Sequence, residues 1–267
     1  MFYIQRPQEY MRKTPEVSEI VSETFYSEEV EPLEERGDWV RIRTKMDRYE
    51  GWVRKGAFVR CEREFFEGII AKVYALKAHI YRAPGRRGGP IVSLCFGSRL
   101  KVIEQNDAQW IKIALLNGLE GFVERGNISF ESGTLTKEKI VELSKRFLEV
   151  PYTWGGRTSF GFDCSGFVQM LYREMGVDLP RDSKDQVVWG GLAPVALEEK
   201  EPGDLIFFGK DAQSISHVGM SIGGDRFIHA TTRESKPWIH ISDLSDREWN
   251  GSGEFRFCTV RRLRAVV

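Results

Sequence analysis

The sequence predicts an α+β fold, in which helices pack on an antiparallel sheet, preceded by two small β-barrels. A strand-rich pattern occurs twice in the first half of the chain. Two helical patterns follow, and the remainder consists of short alternating segments typical of strands. A cysteine stands where the second helical pattern begins, and histidines lie in the strand-like part. Helices first and sheet second favour an α+β domain at the end of the chain.

The composition bounds the classes of function. The chain has 267 residues, enough for one large or two to three small domains. Its 39 basic and 39 acidic residues give a formal net charge of zero, which removes the electrostatic argument for a nucleic-acid partner. No segment has the length and apolarity of a membrane span. Residues 1–10 lack a signal-peptide core, so a cytoplasmic protein is expected, with export or secretion by another route as the alternative.

The cysteines give no framework of their own. Cys61, Cys95, Cys164 and Cys258 are scattered without paired spacing, which argues against a metal knuckle and against a set of disulfides. Cys61, Cys95 and Cys258 lie beside strand-like segments, and we expect them to be structural thiols.

The first half of the chain repeats a pattern of short strands. Residues 37–43 read Gly-Asp-Trp-Val-Arg-Ile-Arg and lead to Gly-Trp-Val at 51–53. Residues 107–113 read Asp-Ala-Gln-Trp-Ile-Lys-Ile and lead to Gly-Phe-Val at 121–123. This predicts two small barrels, at 1–63 and 64–132, ahead of a third domain at 133–267. The tryptophans of the pattern are expected in the barrel cores: Trp39, Trp52 and Trp110.

The third domain begins with helical patterns. Thr136 is a plausible N-cap of a helix that Pro151 ends. A second helix opens near Cys164 and stops at Gly176, and a third short helix covers 184–189. Strands are predicted at 204–208, 217–222, 226–230 and 255–260, with a hairpin turn at 223–225.

Cys164 is the first candidate for chemistry. It lies in Phe-Asp-Cys-Ser-Gly, where a loop turns into an apolar-patterned helix, and the positive helix end favours the thiolate. A packing cysteine is the alternative, because cysteine is among the most buried residue types. The polar surroundings, the aromatic and glycine loop at 151–156, and His217 and His229 downstream favour a thiol acyl-transfer site.

Five motifs follow one another between residues 151 and 224. They are Pro-Tyr-x-Trp-Gly-Gly, Asp-Cys-Ser-Gly-Phe-Val, Leu-Pro-Arg-x-Ser, Pro-Gly-Asp-Leu-x-Phe-Phe and His-Val-Gly-x-x-x-Gly. Their series resembles the NlpC/p60 family of bacterial cell-wall cysteine peptidases, whose catalytic domain is papain-like. The two repeats ahead of them resemble bacterial SH3-like domains, and this combination is similar to the subgroup that hydrolyses the γ-D-glutamyl–diamino acid bond of murein peptides.

The resemblance implies catalytic roles for three residues. Cys164 would attack the γ-amide carbon, and His217 would take the thiol proton and return it to the leaving amine. His229 would orient His217 through its other ring nitrogen. The backbone N–H of Cys164 and the hydroxyl of Tyr152 are candidates for the oxyanion, and catalysis of this kind needs no metal or other cofactor.

The resemblance also implies substrate contacts. Asp163 and Asp182 would lie near a free N-terminal amine of L-alanine, and Tyr49 of the first barrel is the nearest match to a tyrosine that contacts the same end. For both acids a helix cap or a surface ion pair is the alternative. Arg181 could pair with a substrate carboxylate or with a neighbouring acid. The remaining candidates for substrate contact are Trp154, Ser165 and Ser183. No catalytic part is expected for His79 or His240.

The leading interpretation is therefore a cysteine endopeptidase acting on peptidoglycan stem peptides. It would cleave the bond between γ-D-glutamate and meso-diaminopimelate in peptides with a free N-terminal L-Ala. One alternative is an amidase or acyltransferase on the same scaffold, and another is a non-catalytic wall-binding protein. The sequence leaves open diaminopimelate against lysine at the third position, and the oligomeric state.

Overall fold

The computed structural model describes residues 1–131, 133–249 and 255–264. The chain divides into two compact units. One consists of Met1–Gly133 with Thr158–Phe160, and the other of Thr134–Arg157 with Gly161–Val267.

The first unit contains two seven-stranded sheets with the same topology. The first sheet is built from β1 (Phe2–Ile4), β2 (Gln8–Arg12), β3 (Ile20–Phe25), β4 (Glu29–Arg36), β5 (Trp39–Thr44), β6 (Glu50–Arg54) and β7 (Phe58–Arg60). The second is built from β8 (Ile70–Val73), β9 (Lys77–Tyr81), β10 (Val92–Cys95), β11 (Arg99–Glu104), β12 (Trp110–Ala114), β13 (Glu120–Glu124) and β14 (Ile128–Ser129). The strand order is β3-β2-β6-β5-β4-β1-β7 in the first sheet and β10-β9-β13-β12-β11-β8-β14 in the second. Each strand of the second sheet therefore occupies the place of the strand seven numbers earlier in the first. The repeat in the sequence is thus a repeat of topology.

The repeated motif residues occupy equivalent places in the two sheets. Trp39 begins β5 and Trp110 begins β12, and both are buried, as is Trp52, which confirms the expected burial. Gly51 and Gly121 stand where neighbouring strands pack closely. A Cβ would lie 2.8 Å from the Met11 Cβ at Gly51, and 2.5 Å from an Ile80 methyl at Gly121. Glycine at these positions therefore lets the strands close over their cores.

The remaining elements follow from Thr134 onward. They are α1 (Lys137–Lys145), β15 (Arg157–Thr158), β16 (Gly161–Phe162), α2 (Cys164–Arg173), α3 (Ser183–Gln186), β17 (Leu192–Val195), β18 (Leu205–Gly209), β19 (Ile215–Gly223), β20 (Arg226–Thr231), β21 (Trp238–Asp243) and β22 (Arg256–Leu263). Six strands form one antiparallel sheet in the order β17-β22-β18-β19-β20-β21. Helices followed by this sheet confirm the α+β class.

The first helix starts where predicted and ends earlier. The Thr136 hydroxyl accepts a hydrogen bond from the Lys139 amide at 3.4 Å, as an N-cap does. The helix stops at Lys145, because the chain then turns to join the sheet. Glu149 takes a left-handed φ of 68°, and its amide donates to the Ile239 carbonyl at 2.9 Å. Pro151 is therefore not what ends the helix.

The second helix confirms its predicted start and its stop signal. All of its residues from Cys164 to Tyr172 are buried. Gly176 takes a φ of 77°, and its amide donates to the Arg173 carbonyl at 2.9 Å. This left-handed glycine terminates the helix as predicted. In the part of the chain that is described, none of the helices combines the length and the apolarity that a membrane crossing requires.

The other predicted elements differ mainly in extent. The third helix covers only Ser183–Gln186, shorter than the expected 184–189. The hairpin is confirmed, since Gly223 and Gly224 take left-handed φ values of 105° and 59° between β19 and β20. Strand β17 was not predicted, and it pairs with β22 from Leu192↔Leu263 to Val195↔Val260.

Candidate active site

Close backbone packing fixes Cys164 at the first position of α2. Asp163 is the N-cap, and its carboxylate accepts a hydrogen bond from the Gly166 amide at 2.7 Å. A Cβ on Gly166 would lie 2.2 Å from the Gly156 carbonyl oxygen, and one on Gly156 would lie 2.4 Å from the Gly161 carbonyl oxygen. The glycines of both motifs therefore allow the loop at 151–156 to pass directly over the start of the helix.

Asp163 also anchors Arg181. The guanidinium donates to the two carboxylate oxygens at 3.1 and 2.6 Å, and both side chains are largely buried. The amides of Gly155 and Gly166 and the hydroxyl of Ser165 donate to the same carboxylate, which makes five hydrogen bonds in all. A carboxylate offers about four lone-pair sites, so its accepting capacity is filled. These contacts favour the helix-cap and ion-pair alternative for Asp163 and for Arg181.

The environment of the Cys164 thiol differs from the one expected from its helix position. Burial, and after it the Asp163 carboxylate, raise the pKa of Cys164 to about 12, although a hydrogen bond from the Val218 amide acts to lower it. Desolvation outweighs the helix end because the side chain is only 9% exposed. In the free protein the resting group is a thiol, which corrects the expectation that the helix start favours the thiolate.

The two predicted histidines are hydrogen bonded to each other. His217 lies on β19 and His229 on the adjacent β20, and Nε2 of His217 is 2.8 Å from Nδ1 of His229. The intervening motif residue Gly219 makes room for this pair, since a Cβ there would lie 3.2 Å from the His229 Cβ. The Val218 amide that reaches Cys164 belongs to the residue after His217, so one strand serves both the thiol and the imidazole.

Both imidazoles are buried and neutral. Burial lowers the pKa of His217 to about 3, with the positive charge of Arg233 acting in the same direction. Burial likewise places the pKa of His229 well below its usual value. The His217 ring stacks on Trp249 with centroids 5.0 Å apart and an interplanar angle of 25°. A neutral imidazole can accept a proton, and the residue after His217, Val218, is hydrogen bonded to the Cys164 thiol.

Comparison with known proteins places this arrangement in a family. The NlpC/P60 family matches residues 149–252, and the bacterial dipeptidyl-peptidase Sh3 domain matches residues 11–58. The chain is 30% identical over 259 residues to the gamma-D-glutamyl-L-lysine dipeptidyl-peptidase of Bacillus subtilis, covering 91% of this chain and 81% of the relative. The chain belongs to the NlpC/P60 family. As a member of it, the protein is a cysteine peptidase.

Two further proteins are similar over most of the chain. Dipeptidyl-peptidase 6 of Lysinibacillus sphaericus is 27% identical over 253 residues, covering 86% of each chain. The crystal structure of an NlpC/P60 family protein from Bacillus cereus superposes with a TM-score of 0.84 at 22% identity, covering 98% of this chain and 99% of that one. That likeness shows the shared fold.

Tyr152 and Trp154 of this NlpC/P60 chain lie on the loop that precedes the cysteine. Burial, followed by the charges of Cys164 and Asp163, raises the pKa of Tyr152, so its hydroxyl keeps its proton and can donate a hydrogen bond. The Tyr152 amide donates to the Pro237 carbonyl at 2.8 Å, which fixes the loop on the segment before β21. Trp154 is 63% exposed, which leaves a large indole surface accessible from solvent.

Asp182 differs from Asp163 in its surroundings. It stands at the N-cap position of α3, yet its side chain makes no capping hydrogen bond. Its ion-pair contact is with Lys184 at 3.9 Å, and burial raises its pKa. The capping alternative is therefore not realised for Asp182.

The two predicted serines lie near the starts of the two helices. Ser183 is buried at the first position of α3, and Ser165 accepts a hydrogen bond from Arg181 at 2.9 Å.

Two predicted residues lie in the first unit. Tyr49 precedes β6, and its ring packs against the core of the first sheet. Its amide donates to the Thr44 hydroxyl at 3.1 Å, which holds the turn in place. The contact of Tyr49 with substrate stays a prediction. His79 lies on β9, with Nδ1 2.7 Å from the Ser93 hydroxyl.

Sequence reasoning missed a polar cluster behind His229. His229, Glu234 and His240 each offer a ligand atom within 4.8 Å of the others, a spacing that could hold a metal ion. Hydrogen bonds between protein groups involve all three side chains, and Ser242 and Trp249 complete the cluster. Alternation along Trp238-Ile239-His240-Ile241-Ser242 places His240 and Ser242 on one face of β21, and that period of two was the available signal.

Proposed function

We propose that the protein hydrolyses peptidoglycan stem peptides at the bond between the γ-carboxyl of D-glutamate and a diamino acid. The observation that carries the proposal is the thiol of Cys164 at the start of α2, hydrogen bonded to the amide that follows His217, with His217 in turn bonded to His229. The Bacillus subtilis relative, named a gamma-D-glutamyl-L-lysine dipeptidyl-peptidase, supports the choice of bond.

In the proposed mechanism, Cys164 is the nucleophile and His217 the base. Because Nε2 of His217 is bonded to His229, Nδ1 is the ring nitrogen that remains for the thiol proton. As the sulfur–carbon bond forms, the proton passes from sulfur to Nδ1, and the carbonyl π electrons move to its oxygen. Coupling the two events avoids a free thiolate, which the buried site disfavours.

The intermediate then collapses to an acyl-enzyme. We assign the Tyr152 hydroxyl and the Cys164 amide to the oxyanion, because a phenol that keeps its proton can donate to it. The carbon–nitrogen bond breaks, and the His217 imidazolium gives its proton to the leaving amine. Water, deprotonated by the same imidazole, attacks the thioester, and the thiol is regenerated.

We further propose that the substrate carries a free N-terminal L-Ala whose ammonium pairs with Asp182. The half-buried carboxylate has no capping bond, its one ion-pair contact, with Lys184, is long at 3.9 Å, and burial raises its pKa. A substrate ammonium beside Asp182 would restore the stabilisation of the ionised carboxylate that is lost when the side chain is buried. Losing one partner of a buried pair costs about 3–5 kcal/mol, so N-acetylation should lower kcat/KM by roughly two orders of magnitude or more.

The test is hydrolysis of defined tripeptides by the purified protein. L-Ala-γ-D-Glu-meso-diaminopimelate, which the sequence favours, and the L-Lys analogue, which the relative's name favours, are compared in free and N-acetylated form. Release of L-Ala-D-Glu with loss of activity in Cys164→Ala supports the proposal. Cleavage of acetylated peptides at an equal rate would contradict the amine requirement. Turnover of another amide or ester, with both tripeptides intact, would indicate an amidase or acyltransferase.

A further inference from the structure

A continuous row of hydrogen bonds leads away from the catalytic histidines. Beyond the His217–His229 bond, Nε2 of His229 is 3.0 Å from the Ser242 hydroxyl. That hydroxyl donates to Oε1 of Glu234 at 2.7 Å. Glu234 lies on the loop between β20 and β21, and Ser242 lies on β21 itself. The row thus ends on a carboxylate that no motif of the sequence marks.

Glu234 is held as a charged acceptor. Although burial acts to raise its pKa, hydrogen bonds from Trp249, Ser242 and Lys236 lower the pKa of Glu234 to about 2. Nε1 of Trp249 donates to Oε1 at 2.7 Å, while Nζ of Lys236 and Nε2 of His240 lie 3.1 and 3.2 Å from Oε2. Together with Ser242, these groups contact both oxygens of the carboxylate and hold it in place.

The direction of each bond follows from the charge at the end. An ionised carboxylate only accepts, so the Ser242 hydroxyl must donate to Glu234 and is left to accept from Nε2–H of His229. Nδ1 of His229 is then unprotonated and accepts from Nε2–H of His217. Nδ1 of His217 is therefore left with its lone pair, the state a general base requires.

We propose that Glu234 is a positioning residue that, through Ser242, fixes the tautomers of His229 and His217 and so presents Nδ1 of His217 as the base. The proposal rests on the proposed function in one respect, namely that His217 takes the thiol proton. The side chains of His229, Glu234 and His240 have the spacing of a cation site, but each already hydrogen bonds to another protein group, His229 to Ser242 and His240 to Glu234. In this proposal, the cluster determines which ring nitrogens of the two histidines carry protons.

The first test reads the tautomers without substrate. In protein labelled with ¹⁵N-histidine, ring-nitrogen NMR shifts should show His217 and His229 each protonated at Nε2 and unprotonated at Nδ1. Ser242→Ala should give mixed tautomers in both rings. Glu234→Gln keeps an oxygen that can accept from Ser242 and Trp249, so it should preserve the tautomers, whereas Glu234→Ala should not. Glu198→Gln, an exposed acid in the same unit, is the matched control.

The second test is kinetic. Ser242→Ala should lower kcat by about tenfold or more with KM nearly unchanged, because an imidazole in the wrong tautomer cannot accept the thiol proton. Ser242→Thr, which keeps the hydroxyl, should recover most of that loss. Wild-type rings protonated at Nδ1, or variants with unchanged ring shifts and unchanged kcat, would overturn the proposal.

The two readouts also separate this proposal from the proposed function. Tautomers that shift in Ser242→Ala, in a protein that leaves both tripeptides intact, would support the hydrogen-bonded row and contradict the substrate. Hydrolysis of the tripeptides that requires Cys164 but is unchanged by substitution of Ser242 and Glu234 would support the proposed function and contradict the role of the hydrogen-bonded row. If Glu234→Ala fails to fold because Trp249 loses its acceptor, Ser242→Ala carries both measurements.

Discussion

The burial of His217 and His229 predicts that the protein loses stability as the pH falls. Burial lowers the pKa of His217 from 6.5 to about 3, and it holds that of His229 well below 6.5. In the unfolded chain both groups return to a pKa of about 6.5, so the unfolded state binds more protons in the interval between. The contribution of each neutral histidine is therefore present above about pH 6.5 and is lost progressively below it.

The size of the effect follows from the two pKa values. A pH of about 5 is roughly 1.5 units below the pKa of a histidine in the unfolded chain. At about 1.36 kcal/mol per unit, protonation then stabilises the unfolded state by about 2 kcal/mol per histidine. The pair should thus lower the free energy of unfolding by up to about 4 kcal/mol between about pH 8 and about pH 5. Glu234, with its pKa lowered to about 2, adds its own loss only at more acidic pH.

Urea unfolding of the wild type and of His229→Gln at both pH values measures this contribution. All other titrating groups are common to the two proteins, so the difference between their pH dependences isolates His229. We expect the variant to lose less stability than the wild type between the two pH values, by up to about 2 kcal/mol. An equal loss in both proteins would refute the argument that His229 is buried in its neutral form.

Three further predictions concern the thiol, the loop over it and the substrate amine. The rate of Cys164 alkylation by iodoacetamide should rise about tenfold per pH unit up to about pH 9, because the raised pKa keeps the thiolate fraction small. A plateau below neutral pH would contradict the neutral resting thiol. Gly166→Ala should lower the free energy of unfolding by about 1–3 kcal/mol, since the added methyl meets the Gly156 carbonyl, whereas Gly190→Ala, which meets no atom within 4 Å, should not. Asp182→Asn should lower kcat/KM on free tripeptides towards the value for acetylated ones, and unchanged selectivity between the two substrates would remove Asp182 from amine binding.

Local chemistry made much of the fold predictable. The capping residue Thr136, the left-handed Gly176 and the Gly223–Gly224 turn act within a few residues, and each does in the structure what its type predicts. The repeated Gly-aromatic-Val motif predicted two similar sheets, because a strand that packs closely on a neighbour needs glycine at the same place in each copy.

Features set by distant partners were not predictable. Strand β17 exists because it pairs with β22, far along the chain. The first helix ends early because residues 149 and 150 pair with Ile239 on an edge strand. The motif around Cys164 identified a nucleophile and its acidic neighbour Asp163, but burial, which raises the pKa of the thiol most, depends on how the helix packs on the sheet. Glu234 lies on the loop between β20 and β21, and only the fold of that loop brings its carboxylate to Ser242 and His240.

The central claim is that the Cys164 sulfur attacks the γ-carbonyl of D-glutamate. Rapid quenching of the purified protein with the tripeptide, followed by mass spectrometry of its peptides, tests this claim most directly. The account predicts one L-Ala-D-Glu acyl group on Cys164 during turnover, and none in Cys164→Ala. An acyl group on another residue, or tripeptide hydrolysis by Cys164→Ala at the wild-type rate, would contradict it.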